Sequence, residues 1–253
     1  MELLILGHII GDFYLQTDKL AAKKKKSTPS MLLHCLLYTI VLGVGVSILS
    51  RGVVETLAIS MMIFVSHLII DLFKRELEKK PTNKEYVVFL VDQGMHMLVL
   101  FFIYFIGKQW AFIQVNHKLM IHDLDMLTCA AVALAVLVCW KPAGILVSSV
   151  FKGIPATIEQ ANQTAEESDK IEIEGAKIGY WIGVLEREII LMLGLMGQFG
   201  AIGFVLTAKS LARFKQLENK SFAEKYLVGT LLSAGIAIVC IVVFKGSGIF
   251  LAF

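Results

Sequence analysis

Apolar segments long enough to cross a membrane follow one another along almost the whole chain. Hydrophobic residues make up 57% of the 253 residues, and the mean hydropathy is +0.73. A membrane-spanning helix needs about 20 apolar residues, each adding about 1.5 Å. The pattern therefore predicts an all-α polytopic transmembrane helix bundle of six or seven helices. The predicted spans are 1–22, 30–50, 54–73, 86–107, 126–151, 178–208 and 226–253.

The composition also excludes several classes of protein. Only 18% of the residues are charged, against about 25% in an average soluble domain, which excludes an ordinary soluble enzyme and a disordered chain. The net charge of +3 predicts no nucleic-acid partner, and the expected partners are membrane lipids. The cysteines lack a C-x-x-C pair and lie in apolar stretches, so we interpret them as small hydrophobic residues. They are Cys35, Cys129, Cys139 and Cys240.

The chain divides by composition into two parts that we expect to belong to one bundle. Residues 1–107 contain four predicted helices and are rich in histidine and aspartate. Residues 108–253 contain the remaining helices, with an acidic connection at 155–177 and a basic one at 209–225.

Clustered lysines and arginines predict the orientation. Residues 23–26 and 74–84 both carry such clusters, so both should face the cytoplasm. Counting seven crossings from there places the basic stretch 209–225 outside, which contradicts the same rule. Either a C-terminal segment does not cross, or the fifth does not cross once. Pro142 predicts a kink or break in the fifth segment, because proline lacks the backbone N–H donor and clashes with the preceding turn.

Histidine and aspartate occur four residues apart in the first, third and fourth segments. Ionisable side chains inside a membrane are costly and usually face a cavity or one another. A spacing of four places both side chains on one face of a helix. The order is His-Asp in the first and third segments and Asp-His in the fourth, which runs antiparallel to them. The histidines should therefore meet at one depth, with the aspartates nearer the cytoplasm.

This pattern predicts an intramembrane site for a divalent cation. Imidazole suits zinc, and carboxylate also suits manganese, so these are the expected metals. An aspartate that does not bind the metal could act as the catalytic general base, and Asp12, Asp71 and Asp92 are the candidates. The candidate metal ligands are His8, Asp12, His34, His67, Asp71, Asp92 and His96.

Three functions agree with such a cluster of histidines and aspartates, the third of them without a metal. The first is a metal-dependent hydrolase that acts on a lipid or phosphorylated substrate from the cytoplasmic leaflet. The second is a transporter that moves protons, other ions or a metal through the same residues. The third is a membrane-anchored interaction or regulatory subunit, in which His–Asp hydrogen bonds only hold helices together.

Three of these motifs resemble a known family. The opening LGHIIGDFYLQ at 6–16, HLIID at 67–71 and DQGMH at 92–96 resemble DUF3307, an uncharacterised bacterial membrane family, over approximately residues 1–110. Residues 182–210 also look like the tail of longer members. The resemblance implies a multi-pass protein of the bacterial inner membrane and no particular activity. A looser similarity of pattern to inner-membrane metal-dependent hydrolases favours the first function by analogy.

Charged residues also occur in the C-terminal segments. Glu186 and Arg187 could form a charged belt at the membrane surface or contact a substrate phosphate. Lys209 and Arg213 could be solvated or bind anionic lipid headgroups.

Overall fold

The structure is a computed structural model that describes residues 1–80, 84–110, 112–113, 120–121, 124–153 and 167–246. The acidic residues at 155–166 and Pro81 lie outside the described residues. His117 and His122, for which the sequence predicts no role, also lie outside them.

The described chain is helical apart from two short paired strands. Five helices are long and apolar enough to cross a membrane, so the predicted all-α membrane bundle is confirmed. The elements are α1 (Glu2–Ile9), a π-helical turn (Ile10–Tyr14), α2 (Asp18–Lys24), α3 (Thr28–Leu49), α4 (Val53–Glu78), α5 (Glu85–Gln109), β1 (Met120–Ile121), β2 (Leu124–Asp125), α6 (Met126–Lys152), α7 (Glu167–Leu195), α8 (Phe199–Ala212), a 3-10 turn (Phe214–Glu218) and α9 (Lys220–Gly246).

The chain forms two compact units. The first is Met1–Leu137 and the second is Val138–Phe253. In the first unit α3 packs against α1, α2 and α4, and α4 packs against α5. In the second unit α7 packs against α8 and α9.

The prediction of one continuous span over 1–22 is wrong, because this segment is divided into two helices. The Leu15 N–H donates to the Ile10 carbonyl at 2.9 Å, a π-type bond that widens the turn. The Thr17 hydroxyl then accepts from the Leu20 N–H at 3.3 Å, which caps the start of α2. The part before this cap, residues 2–14, is about 20 Å long and too short to cross the hydrocarbon layer.

Two glycines allow α1 and the π-helical turn to approach α3 closely. A Cβ on Gly11 would lie 2.9 Å from the Tyr38 ring and 3.3 Å from the Tyr38 Cα, and a Cβ on Gly7 would lie 3.3 Å from the Leu42 side chain. Small residues four apart permit such close approach between membrane helices. Each glycine directly precedes a predicted site residue, so this contact also positions His8 and Asp12.

Polar and apolar residues are distributed as expected for a protein surrounded by lipid. Large apolar side chains on α4 and α5 are exposed, with Val54 at 77%, Leu57 at 65% and Phe102 at 58%. The histidines and aspartates of the same helices are buried. A water-soluble protein of this size rarely exposes so much contiguous apolar surface. The protein is a multi-pass membrane protein.

Of the kink or break predicted at Pro142, the break is wrong, because α6 continues through this proline from Met126 to Lys152. The kink stays a prediction. Pro142 has no N–H, which disturbs the hydrogen bonding of the preceding turn. The Arg187 Nε donates to the Cys139 carbonyl at 2.5 Å and its Nη2 to the Trp140 carbonyl at 3.5 Å. A neighbouring side chain thus supplies donors to backbone carbonyls beside the proline, which is how membrane helices tolerate it.

The prediction of a single span over 178–208 is also wrong, because the chain reverses direction inside it. Gly197 has a φ of 74°, a left-handed conformation that glycine adopts readily. The Lys209 Nζ lies 2.5 Å from the Glu186 Oε2, so α8 runs back along α7. The 14 residues of α8 extend about 21 Å and cannot cross the membrane. The basic stretch after α8 therefore returns towards the side where α7 begins, which removes the conflict with the charge rule.

Candidate metal centre

All seven predicted ligands lie together in the first unit and are buried. They come from α1, the π-helical turn, α3, α4 and α5, and the most exposed of them, Asp12, is only 6% exposed. The rings of neighbouring histidines have centroid distances of 4.7 to 5.1 Å. The predicted meeting of the histidines at one depth is therefore found. The residues concerned are His8, Asp12, His34, His67, Asp71, Asp92 and His96.

Three imidazoles form a continuous hydrogen-bonded chain. The His34 Nε2 lies 3.1 Å from the His67 Nε2, and the His67 Nδ1 lies 2.8 Å from the His96 Nε2. The His96 Nδ1 lies 2.8 Å from the Asp92 carbonyl oxygen, which can only accept. For neutral rings, His96 thus donates to Asp92, His67 donates to His96 and His34 donates to His67.

The fourth histidine is held separately by two polar side chains. The His8 Nε2 lies 3.1 Å from the Gln93 Oε1, which accepts, and the Tyr38 hydroxyl therefore donates to the His8 Nδ1 at 3.0 Å. Both His8 nitrogens are thus hydrogen-bonded. Tyr38 also stacks on His67, with a ring centroid distance of 3.7 Å and an interplanar angle of 9°.

Two lysines neutralise part of the negative charge. The Lys24 Nζ contacts both oxygens of Asp71, at 3.1 and 3.2 Å. The Lys74 Nζ donates to the Asp92 Oδ2 at 2.7 Å. A carboxylate buried without a cation would be very costly. With neutral imidazoles, three carboxylates and two ammonium groups leave the cluster with one unbalanced negative charge.

Gln93 connects two of the carboxylates. Its Nε2 donates to the Asp12 Oδ2 and to the Asp92 Oδ2, both at 3.1 Å. The other oxygen of Asp92, Oδ1, is buried and has no hydrogen-bond partner among the described residues. That oxygen is available to a water molecule, a substrate or an ion.

Two overlapping groups of three ligand atoms lie in this cluster. The His34 Nε2 is 3.3 Å from the Asp12 Oδ1, and both the His34 Nε2 and the His67 Nε2 are 3.7 Å from the Asp71 Oδ2. One ligand atom each from Asp12, His34 and His67 also forms a mutually close set, as does one each from Cys35, His67 and Asp71, with all distances within 4.8 Å. These are the residues that could hold a metal ion.

The sequence did not identify four side chains that complete the cluster. The sequence places Lys24 and Lys74 in charge clusters that predict only orientation, and Cys35 in an apolar stretch that predicts only a hydrophobic role. Tyr38 is not part of the His/Asp pattern, although it lies four residues after His34 and hence on the same helix face.

The interpretation of Glu186 and Arg187 as a charged belt at the membrane surface is wrong, because they are 5% and 1% exposed. They lie in the second unit, near the partly buried Lys209 and Arg213.

The fold and the cluster define a multi-pass membrane protein with a polar centre inside its helix bundle. The chain belongs to the family described as protein of unknown function (DUF3307), whose family model matches residues 1–128. The match includes α1 to α5 and all seven predicted ligands, and confirms the resemblance seen in the motifs. No curated protein and no solved structure matches the chain.

Proposed function

We propose that the first unit binds a divalent metal ion, zinc or manganese, and that the protein is a membrane-embedded metal-dependent hydrolase. The observation that carries this proposal is the mutually close set of ligand atoms on Asp12, His34 and His67, with Asp71 beside both histidines. Tetrahedral coordination with bonds of about 2.0–2.1 Å places neighbouring ligand atoms about 3.3 Å apart. The His34–His67 separation of 3.1 Å, the His34–Asp12 separation of 3.3 Å and the separations of 3.7 Å from each histidine to Asp71 are close to this value.

The hydrogen bonds around the four ligand atoms support the same interpretation. A histidine that binds a metal usually donates its second ring N–H to a neighbour, which fixes the ring orientation. His67 would bind through Nε2 while its Nδ1 donates to His96 at 2.8 Å. His34 would bind through Nε2 once its proton moves to Nδ1. His8 and His96 would then orient the site without binding the ion.

The charge of the cluster favours an anionic substrate. One unbalanced negative charge attracts a cation, and a divalent ion then leaves one net positive charge. A phosphorylated amphiphile or a lipid phosphate ester would be stabilised by that charge. The cytoplasmic leaflet is the expected source, because basic residues surround this end of the helices, and the inner membrane of a bacterial cell is the expected location.

Asp92 is the best-placed general base of the three aspartates. A metal in such a site supplies a Lewis acid and lowers the pKa of a bound water. Asp92 Oδ1 has no other hydrogen-bond partner among the described residues and would take a proton from the attacking water. The water oxygen would bond to phosphorus as the ester P–O bond breaks. Asp92 would then pass that proton to the leaving oxygen, and Lys74, 2.7 Å from Asp92, would hold the carboxylate in place.

Elemental analysis of the purified protein tests the metal site. We expect about one equivalent of zinc or manganese in the wild-type protein and much less in His67→Ala. We expect Asp12→Asn to lower the metal content as well, because it weakens one ligand. The matched control is Asp18→Asn, which removes an exposed carboxylate at the start of α2 and should leave the metal content unchanged. Wild-type protein without stoichiometric metal contradicts the proposal.

Activity is tested by the release of phosphate from a phosphorylated amphiphile in detergent. Release should require the metal and should fall at least about 100-fold in Asp92→Asn, because general base catalysis contributes about 10²–10⁴-fold. If the protein binds the metal but hydrolyses no phosphorylated amphiphile, the metal site is supported and the hydrolase function is contradicted. Lost thermal stability in His67→Ala without any metal in the wild type would indicate a purely structural cluster.

The imidazole chain favours a second function, the transfer of protons. His34, His67 and His96 are linked by hydrogen bonds of 3.1 and 2.8 Å, and such a chain can pass a proton from ring to ring. Proteoliposomes with an internal pH dye distinguish the two functions. Proton flux that is lost in His96→Ala, in a metal-free protein, would favour transport over hydrolysis.

A further inference from the structure

The second unit contains a cavity of about 520 Å³ whose lining is strongly cationic. Five basic side chains and one carboxylate line it, together with apolar groups such as Val147 and Phe151. It is formed by the second half of α6 with α7, α8 and α9. The charged lining residues are Lys152, Glu186, Arg187, Lys209, Arg213 and Lys225.

Arg187 is a rigid and fully buried donor in this lining. Its Nε and Nη2 donate to carbonyls of α6, and its Nη1 donates to the Ser233 hydroxyl at 3.1 Å. A guanidinium has five N–H donors, so these three bonds leave two. Because Arg187 also lines the cavity, a ligand there could accept from the two remaining donors.

Glu186 provides an unused acceptor in the same cavity. Its Oε2 accepts from Lys209 at 2.5 Å, and Lys209 also donates to the Thr230 hydroxyl at 3.0 Å. Its Oε1 is buried without a hydrogen-bond partner among the described residues. A buried carboxylate oxygen normally has a donor. A ligand for this cavity should therefore carry a hydroxyl as well as an anionic group.

We propose that this cavity binds a phosphate group that carries or adjoins a hydroxyl. The phosphate oxygens would accept from Arg187 and Arg213, and the hydroxyl would donate to Glu186 Oε1. Guanidinium groups bind phosphate through paired, charge-assisted hydrogen bonds. The proposal does not depend on the metal centre in the first unit.

Two sources present this chemistry, a lipid headgroup such as phosphatidylglycerol and free inorganic phosphate. The apolar lining residues, such as Val147 and Phe151, suit acyl chains beside the headgroup. Inorganic phosphate would need only the polar groups.

Thermal stability in detergent tests the proposal with three probes. These are short-chain phosphatidylglycerol, short-chain phosphatidylcholine, which has no headgroup hydroxyl, and inorganic phosphate. Arg213→Gln removes a lining cation, and Lys215→Gln removes the same charge from an exposed residue two positions later that does not line the cavity. Glu186→Gln tests the hydroxyl contact.

We expect phosphatidylglycerol to raise the melting temperature of the wild type and of Lys215→Gln. In Arg213→Gln the apparent affinity should fall roughly tenfold, the effect of one charge-assisted hydrogen bond. Stabilisation by inorganic phosphate with the same dependence on Arg213 also supports the site and identifies free phosphate as the source. The proposal is overturned if Arg213→Gln and Lys215→Gln lose the same apparent affinity. It is also overturned if phosphatidylcholine raises the melting temperature as much as phosphatidylglycerol does, or if no probe raises it.

Discussion

At the scale of single residues, the burial of Lys24 distinguishes it from its neighbour Lys25. Lys24 contacts Asp71 with side chains 8% and 1% exposed, whereas Lys25 contacts Glu78 with side chains 58% and 26% exposed. A buried ion pair that loses one partner leaves an uncompensated charge, while an exposed pair contributes little. The same residue type on adjacent positions thus has two different roles.

This difference predicts two different effects of the same substitution. Lys24→Met should lower the free energy of unfolding in detergent by about 3–5 kcal/mol, because Asp71 remains buried without its cation. Lys25→Met should change it by about 0–1 kcal/mol. Chemical denaturation followed by circular dichroism measures both. Equal effects would show that Asp71 does not depend on Lys24.

The sequence predicted the residues that form the cluster but not the groups that compensate them. The spacing of four and its reversal between helices were sufficient to predict that His67 and His96 meet, because helix geometry fixes the face and the direction. The contact of Lys24 with Asp71 could not be predicted in the same way, since nothing in a run of four lysines indicates which side chain points into the helix bundle. A long lysine side chain can extend several ångströms from its helix towards a carboxylate.

At the scale of elements, local signals explain where the predicted spans were wrong. Thr17 before Asp18 is a helix-start signal, which lies inside the predicted first span. Glycine recurs every three residues at 194, 197, 200 and 203. Only the φ of 74° at Gly197 shows that the chain turns at this one. At Pro142 local rules predict a kink or break, and α6 nevertheless continues as a helix. Arg187, 45 positions later, donates to the nearby Cys139 and Trp140 carbonyls, a contact that local patterns do not contain.

The contact between the π-helical turn and α3 predicts a specific effect of one added methyl group. Gly11→Ala places a Cβ 2.9 Å from Tyr38, so the two elements must separate and Asp12 must move away from His34. Overpacking of this kind costs about 1–3 kcal/mol. Gly94→Ala is the control, since nothing lies within 4 Å of a Cβ there, and it should be neutral or slightly stabilising. Melting temperatures in detergent compare the two variants. A similar loss in both would mean that the close contact does not determine the effect.

At the scale of the whole molecule, charge and apolar surface are separated along the helices. The basic clusters at 23–26 and 74–80 meet at one end of the first unit, as the Lys25–Glu78 ion pair at 3.1 Å shows. Arg51, between α3 and α4, lies at the other end. The predicted placement of both clusters on one side agrees with this geometry, and its assignment to the cytoplasm stays a prediction.

Labelling with a membrane-impermeant thiol reagent in intact bacterial cells tests that assignment. Basic clusters beside spanning helices are retained in the cytoplasm, so Lys26→Cys and Lys80→Cys should react only after the cells are permeabilised. Arg51→Cys should react in intact cells, because one helix length of about 30 Å separates it from both clusters. The wild-type protein, which has free Cys35, Cys129, Cys139 and Cys240, gives the background labelling. If all three positions react only after permeabilisation, α3 and α4 do not span the membrane. If Lys26→Cys and Lys80→Cys react on opposite sides, the ion pairs that join α2 to α4 are absent in the membrane, and the common depth of the histidines is lost with them.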